Sequence, residues 1–187
     1  MGSATDQQTK EEATRSVIYL VYVTIDTETT GLNPLKDELV AIGIRVDGKS
    51  KLFCRDDNIG EAEILGNFWG WLSSIPHPIL VGYNFDFDWQ FLKLRSLKYG
   101  LIVRHFDKYN ERIDLRLILN PDRYTKGTKL GDYCEFLGIH DGDELSGSDV
   151  PTLWEQHDYD SIKKHLIFDI EKTEALLIRL RDCGLIL

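Results

Sequence analysis

The chain has 187 residues, 42% hydrophobic and 28% charged, which excludes a disordered or fibrous protein and allows a sizeable core without disulfide or metal staples. No apolar run approaches the roughly 18 residues of a membrane span. The net charge of −9 is segregated: residues 1–92 carry −7, residues 93–131 carry +6, residues 132–162 carry −9 with no Lys or Arg, and residues 163–187 carry +1, so a basic middle third stays compatible with a phosphate backbone despite the acidic total.

The start, MGSATDQQTKEEATRS, has no apolar core and is not a secretory signal. Residues 1–16 are expected to form a mobile polar tail, with one domain over 17–187. Cys54, Cys134 and Cys183 are odd in number and widely spaced, which suggests neither a disulfide framework nor a zinc site and points to a reducing, cytoplasmic setting. Val17–Ile25 (VIYLVYVTI) reads as a central strand covered on both faces. Glu38–Val46 is a second strand, and Asp47-Gly48 is a hairpin turn leading to a third, Lys51–Cys54. Ile64–Leu72 has helical spacing, Pro76-His77-Pro78 ends it, and Ile79–Gly82 is a short buried strand. Phe87–Leu101 reads as a helix, Ile113–Leu119 fits strand or helix, and Leu130–Leu137 reads as a helix stopped by Gly138. Asp141–Asp149 is a loop. The last helix runs from about Ser161 to Cys183, with Ile162, Leu166, Ile170, Thr173, Leu177 and Leu180 along one stripe. Three hairpin-joined strands followed by alternating helices and strands indicate an α/β fold, a mixed sheet with helices on its faces.

Three clusters carry chemistry. Asp26-Thr27-Glu28-Thr29-Thr30-Gly31-Leu32 follows the most hydrophobic strand. Residues two apart on a strand share a face, so Asp26 and Glu28 place two like charges together, an arrangement that favours a hard cation between them. A strand end whose acids simply reach water has the same pattern. Tyr83-Asn84-Phe85-Asp86-Phe87-Asp88-Trp89 joins a buried strand to a helix. Asn84 or Asp86 suits an N-cap, and Asp88 then lies in the first turn. His165 and Asp169 are four apart on the last helix and share a face, as a structural hydrogen-bonded pair would.

Together these segments resemble the three ordered motifs of the DEDD 3′–5′ exonuclease superfamily. Tyr83-Asn84-x-x-Phe87-Asp88-Trp89 is most similar to the proofreading domain of family B DNA polymerases. Gly147-Ser148-Asp149-Val150-x-x-Leu153-Trp154 resembles a subgroup of related exonucleases. The resemblance spans residues 17–182 and implies an RNase H-like fold, a mixed five-stranded sheet whose first three strands are antiparallel. It implies that Asp26, Glu28, Asp88 and Asp169 hold two divalent ions, Mg²⁺ or Mn²⁺, which clamp the attacking and leaving oxygens of a phosphodiester from about 3.5–4 Å apart. Family members carry a Tyr four residues before the last Asp or a His five before it. Here position 164 is Lys, and His165 stands at the tyrosine spacing. A His, with a reference pKa near 6.5 against about 10 for Tyr, is expected to orient or deprotonate the attacking water.

The expected activity is 3′–5′ removal of nucleoside monophosphates from single-stranded ends, DNA before RNA, by a chain with no accompanying polymerase domain. Proofreading in trans, DNA repair and RNA trimming all remain open. By the resemblance, Thr29 and Leu32 contact the terminal nucleotide. Asn84 belongs to the same substrate-facing junction, where Tyr83, Phe85 and Phe87 are candidates to stack on bases, core packing being the competing role. The ten Lys and Arg side chains between 93 and 129 offer phosphate contacts. Asp114 reads as a support to the site or a cap. Asp141-Gly142-Asp143-Glu144 lacks the further ligands of a calcium loop. The acidic 132–162 stretch is the candidate surface for a protein partner, and no membrane partner is expected. The rival reading is a catalytically weak or inactive module of the same fold that binds nucleic acid or protein.

Overall fold

The computed structural model describes residues 20–106, 111–120, 129–139, 142 and 144–186. The expected tail, Val17–Tyr19, Lys108, Arg123, Lys126, Asp141 and Asp143 lie outside these residues. The elements in chain order are β1 (Val21–Thr29), β2 (Leu39–Val46), β3 (Lys49–Cys54), α1 (Glu61–Ser73), β4 (Pro78–Gly82), α2 (Phe85–Lys98), β5 (Arg112–Asp114), α3 (Leu115–Leu119), α4 (Leu130–Leu137), α5 (Val150–Glu155) and α6 (Tyr159–Asp182). The strands form one sheet in the order β3-β2-β1-β4-β5. β1, β2 and β3 pair antiparallel, while β4 joins β1, and β5 joins β4, in parallel. The sheet is therefore mixed and five-stranded, as expected. Among the described residues, no helix is long and apolar enough to cross a membrane.

Most differences from the sequence reading lie at element ends. β1 continues four residues past Ile25, because β2 supplies partners for Asp26 (Gly43), Thr27 (Ile42) and Glu28 (Ala41), before the register breaks at Thr29. The ambiguous stretch at 113–119 is both things in turn: β5 ends at Asp114, whose side chain accepts from the Arg116 amide and starts α3. The short helix α5 was not expected; Pro151 sits in its first turn, where the lost N–H costs nothing. Gly138 ends α4 in the left-handed conformation, as its position predicts.

Both faces of the sheet are covered. Val23 and Ile25 of β1 and Ile42 and Ile44 of β2 meet Ile64, Phe68 and Leu72 of α1 and Phe91 and Leu92 of α2. On the other face Ala41 of β2 packs with Val150 of α5 and Ile162, Leu166 and Ile170 of α6. Farther along, Ile79 and Val81 of β4 meet Leu176, Leu177 and Leu180 of α6. The stripe foreseen on the last helix is buried throughout, with His165 and Leu176 added to it. α6 seats closely because Gly43 has no side chain: a Cβ there would lie 2.8 Å from Leu166 Cγ and 3.1 Å from Ile170 Cγ2. Arg45 fastens the same helix through Glu171 (2.9 Å) and Glu174.

A buried ion pair ties α1 to α2. Both Glu61 oxygens accept from Arg95, Oε1 also accepts from the Leu39 amide, and Oε2 accepts from the Tyr99 hydroxyl. Burial works to raise the Glu61 pKa, but these donors outweigh it and hold the carboxyl below its ordinary value. Arg95 also donates to the Pro34 carbonyl, which anchors the turn that follows β1.

Two substitutions test this packing. Gly43→Ala should cost about 1–3 kcal/mol by overpacking against α6, seen as a lower Tm in circular dichroism. Arg95→Leu should cost about 3–5 kcal/mol, because Glu61 would stay buried without its counter-charge, read from urea denaturation.

Candidate functional site

The alternation of β1 sends Val23 and Ile25 toward α1 and α2, and Asp26 and Glu28 toward α6. Their cross-strand partners are the two smallest residues of β2, Gly43 and Ala41, which leave α6 close overhead. On α6, His165 and Asp169 lie one turn apart on the buried side. His165 Nε2 is 3.7 Å from Glu28 Oε1 and 3.7 Å from Asp169 Oδ2. Glu28, His165 and Asp169 form a group whose ligand atoms all lie within 4.8 Å of one another. Lys172, a further turn along, donates to Asp169 Oδ1 at 2.6 Å.

Asp88 reaches the cluster from the first turn of α2. Its Oδ1 accepts from the Thr27 amide at 3.0 Å and the Thr27 hydroxyl at 2.7 Å. Asp88 is 3% exposed, whereas the Asp86 side chain is 45% exposed and lies 4.0 Å from Arg112. Burial, opposed by the Thr27 hydrogen bonds, pushes the Asp88 carboxyl up to about 7. Asp26 stands at the centre of the group. Burial raises its pKa well above the usual carboxylate range, and Asp88, Asp169 and Glu28 each raise it further, while Lys172 pulls the other way. Four carboxylates from three distant segments thus act on one another, and the sequence distance between them, from 26 to 169, is closed by β1, α2 and α6 meeting at one end of β1.

A family model for the RNase_H superfamily matches residues 23–177. The chain belongs to the RNase_H superfamily. The matched span includes all four carboxylates and His165. The uncharacterized protein MJ0365 of Methanocaldococcus jannaschii is 46% identical over 172 residues, covering 87% of this chain and 96% of that protein. Among solved structures, a family B DNA polymerase from the hyperthermophilic archaeon Pyrobaculum calidifontis is similar with a TM-score of 0.73 at 21% identity, covering 87% of this chain and 24% of the polymerase. Exonuclease I is similar with a TM-score of 0.58 at 15% identity, covering 88% of this chain and 41% of that one. At these identities the two structural likenesses are likenesses of fold. The chain spans about a quarter of the one and two fifths of the other.

On this superfamily scaffold an open groove runs beside the carboxylates. It is lined by Asp26 and Asp169 together with Tyr83, Asn84, Arg116, Lys129 and Leu130. Asn84 holds the N-cap position of α2 in a left-handed conformation (φ 60°), and its side chain makes no cap. Asp114 caps instead, accepting from the Asn84 and Phe85 amides, so the sequence expectation of an Asn84 or Asp86 cap is corrected. Asn84 Oδ1 is left to accept from Arg116 at 3.0 Å. Of the three candidate stacking aromatics, Tyr83 lines the groove, Phe85 is buried in the core, and Phe87 is half-buried against that core, its ring 5.0 Å from Phe91. Thr29 is buried and donates to the Gly31 carbonyl. Leu32 is 84% exposed on the turn after β1.

Sequence reasoning named Arg116 and Lys129 only within the ten basic side chains of 93–129, and it named neither Thr27 nor Lys172 for a role. Lys172 had a readable signal, since it lies three residues beyond Asp169 on one helix face. Thr27 had none, because its partner is 61 residues away.

The crowding has a measurable cost. A carboxyl whose folded pKa is raised destabilises the ionised protein, so stability falls as pH rises from the unfolded value, about 3.9, toward the folded one. Asp26→Asn should therefore stabilise the chelator-treated protein by about 1–2 kcal/mol at pH 7, a gain that shrinks below the unfolded value. Thermal melts at both pH values check it.

Proposed function

We propose that the chain is a metal-dependent 3′–5′ exonuclease of the DEDD kind, releasing nucleoside monophosphates from single-stranded ends, DNA before RNA. The observation that carries this reading is the convergence of acids from three segments: Glu28, His165 and Asp169 bring ligand atoms within 4.8 Å of one another, and Asp26 and Asp88 stand close enough to act on the same group. Buried like charges are costly unless a cation joins them. The donors are carboxylates with one imidazole, the chemistry of a divalent-cation site, and the set fits two Mg²⁺ or Mn²⁺ held by Asp26, Glu28, Asp88 and Asp169. Such ions neutralise the charge that builds on the attacking and leaving oxygens of a phosphodiester. The three motifs and the likeness to exonuclease I support the same class.

The chain's own residues do the rest. Thr27 holds Asp88 by two hydrogen bonds to one oxygen, which fixes the carboxylate without a second charge. Lys172 holds Asp169 from α6 differently, by one charged contact to Oδ1 at 2.6 Å. Arg116 and Lys129, which line the same groove as Asp26 and Asp169, receive the phosphates of the strand, and Tyr83 offers a stacking face. The Arg116 guanidinium is braced on Asn84, so the motif asparagine acts by aiming a cation. Thr29 shapes the turn on which Leu32 stands exposed to meet the terminal nucleotide.

Oligonucleotides of DNA and RNA, labelled at the 5′ or 3′ end, test this with Mg²⁺, Mn²⁺ or chelator. The expected result is a ladder that shortens from the 3′ end, needs the metal, and is abolished in Asp26→Ala. Binding without cleavage at every metal concentration would overturn the enzyme in favour of a binding module.

A further inference from the structure

The carboxylates alone do not say which ion the site prefers, and the residue that departs from the family pattern bears on it. We infer that His165 is itself a metal ligand through Nε2, and that Glu28, His165 and Asp169 form a mixed nitrogen–oxygen site that selects divalent transition ions over Mg²⁺. The inference rests on the metal-dependent reading above.

Distance is the first argument. The two 3.7 Å separations from Nε2 to Glu28 Oε1 and Asp169 Oδ2 exceed a hydrogen bond, which ends near 3.2 Å. They suit two ligands of a common ion, since atoms each about 2.0–2.2 Å from one cation lie no more than roughly 4.4 Å apart. All three ligand atoms meet that spacing to within a few tenths of an ångström, at 4.8 Å or less.

Enclosure is the second. His165 is 2% exposed and Glu28 4%. A base that works on an incoming water turns its acceptor nitrogen to the groove; His165 turns Nε2 between two carboxylates under the sheet. Asp169 is the ligand on the open side, its side chain 23% exposed and its other flank in the groove. Two enclosed ligands and one at the rim leave an open position toward substrate, as catalytic metal sites do.

Orientation is the third. Lys172 takes Asp169 Oδ1, so Asp169 presents Oδ2 alone, the atom nearest His165. A partner on the other oxygen is how a ligand carboxylate is commonly aimed. His165 and Asp169 also ride one helix pressed onto Gly43, so their spacing is held by the backbone of α6. The water-handling role expected for His165 from the motif thereby gives way to ligation.

The chemistry follows from the donor type. Mg²⁺ takes oxygen ligands and keeps much of its water, whereas imidazole favours transition ions. Replacing a tyrosine position by a histidine that turns inward shifts the site from the first class toward the second.

The test uses the full chain, stripped with chelator and loaded with Mn²⁺, the probe ion. Pulsed electron paramagnetic resonance should show ¹⁴N modulation from a directly bound imidazole. It should change to the ¹⁵N pattern in protein labelled with ¹⁵N-histidine and vanish in His165→Gln. In competition titrations His165→Gln should reduce the preference for Mn²⁺ over Mg²⁺ by roughly tenfold or more. Bound Mn²⁺ without ¹⁴N modulation in the wild-type chain, modulation that survives His165→Gln, or no Mn²⁺ binding at all would overturn the inference. Labelling alone does not separate His165 from the other four histidines, so His165→Asn takes the place of His165→Gln should that variant fail to fold. Mn²⁺-supported 3′ hydrolysis without nitrogen coupling would leave the nuclease reading standing and remove this one. Nitrogen coupling in a chain that cleaves no oligonucleotide would support the ligand and remove the nuclease reading.

Discussion

The seating of α6 on the bare strip of β2 is the contact on which the site depends. Gly43 and Ala41 are paired with Asp26 and Glu28 across the β1–β2 ladder, so the row that lets the helix approach is the row beside the acids. Leu166 and Ile170 fill the space over Gly43. The residues between and beside them on the helix, His165 and Asp169, are thereby carried to the acids. Apolar burial of this stripe, worth about 1.5–3 kcal/mol per large side chain, supplies the favourable term against which like-charge crowding is tolerated.

The site's electrostatics divide along the same line. β1 and α2 contribute acids whose neighbours are acids, and α6 contributes one acid already held by Lys172. The −9 of the whole chain therefore says little about substrate. What a charged ligand meets is the local balance of one groove, where the acids Asp26 and Asp169 and the bases Arg116 and Lys129 share the lining. Much of the remaining acidic excess belongs to the 132–162 stretch, which includes most of α4, all of α5 and the start of α6.

Much of this was legible from the chain because its signals are local or periodic. The strand-face alternation placed Asp26 with Glu28, helical spacing placed His165 with Asp169, and the hairpin turn at Asp47-Gly48 set the antiparallel start of the sheet. The contacts that give those residues their surroundings were not legible, since they join segments by packing alone. Nothing near Thr27 announces Asp88, and nothing near Asn84 announces that Asp114 will cap its helix from another strand. The capping expectation fails for that reason: the propensity of Asn84 is local, and an acceptor 30 residues away takes its amide. The unexpected α5 has the same origin, a six-residue helix whose Val150 is fixed by the core it joins rather than by periodicity.

Glu61, buried on α1, and Asp26, half-buried on β1, are opposites. Every oxygen of Glu61 is occupied by donors, from Arg95, Tyr99 and the Leu39 amide, while Asp26 is pressed by carboxylates on several sides. The first is a settled charge and the second a frustrated one. Folding has thus gathered its unresolved conflict at the end of one strand and satisfied the acid beneath the neighbouring helices completely. A search of other sequences on this scaffold would do well to look past how deeply an acid is buried and ask which acids are left in quarrel with their surroundings, since only those have reason to take on something from outside the chain.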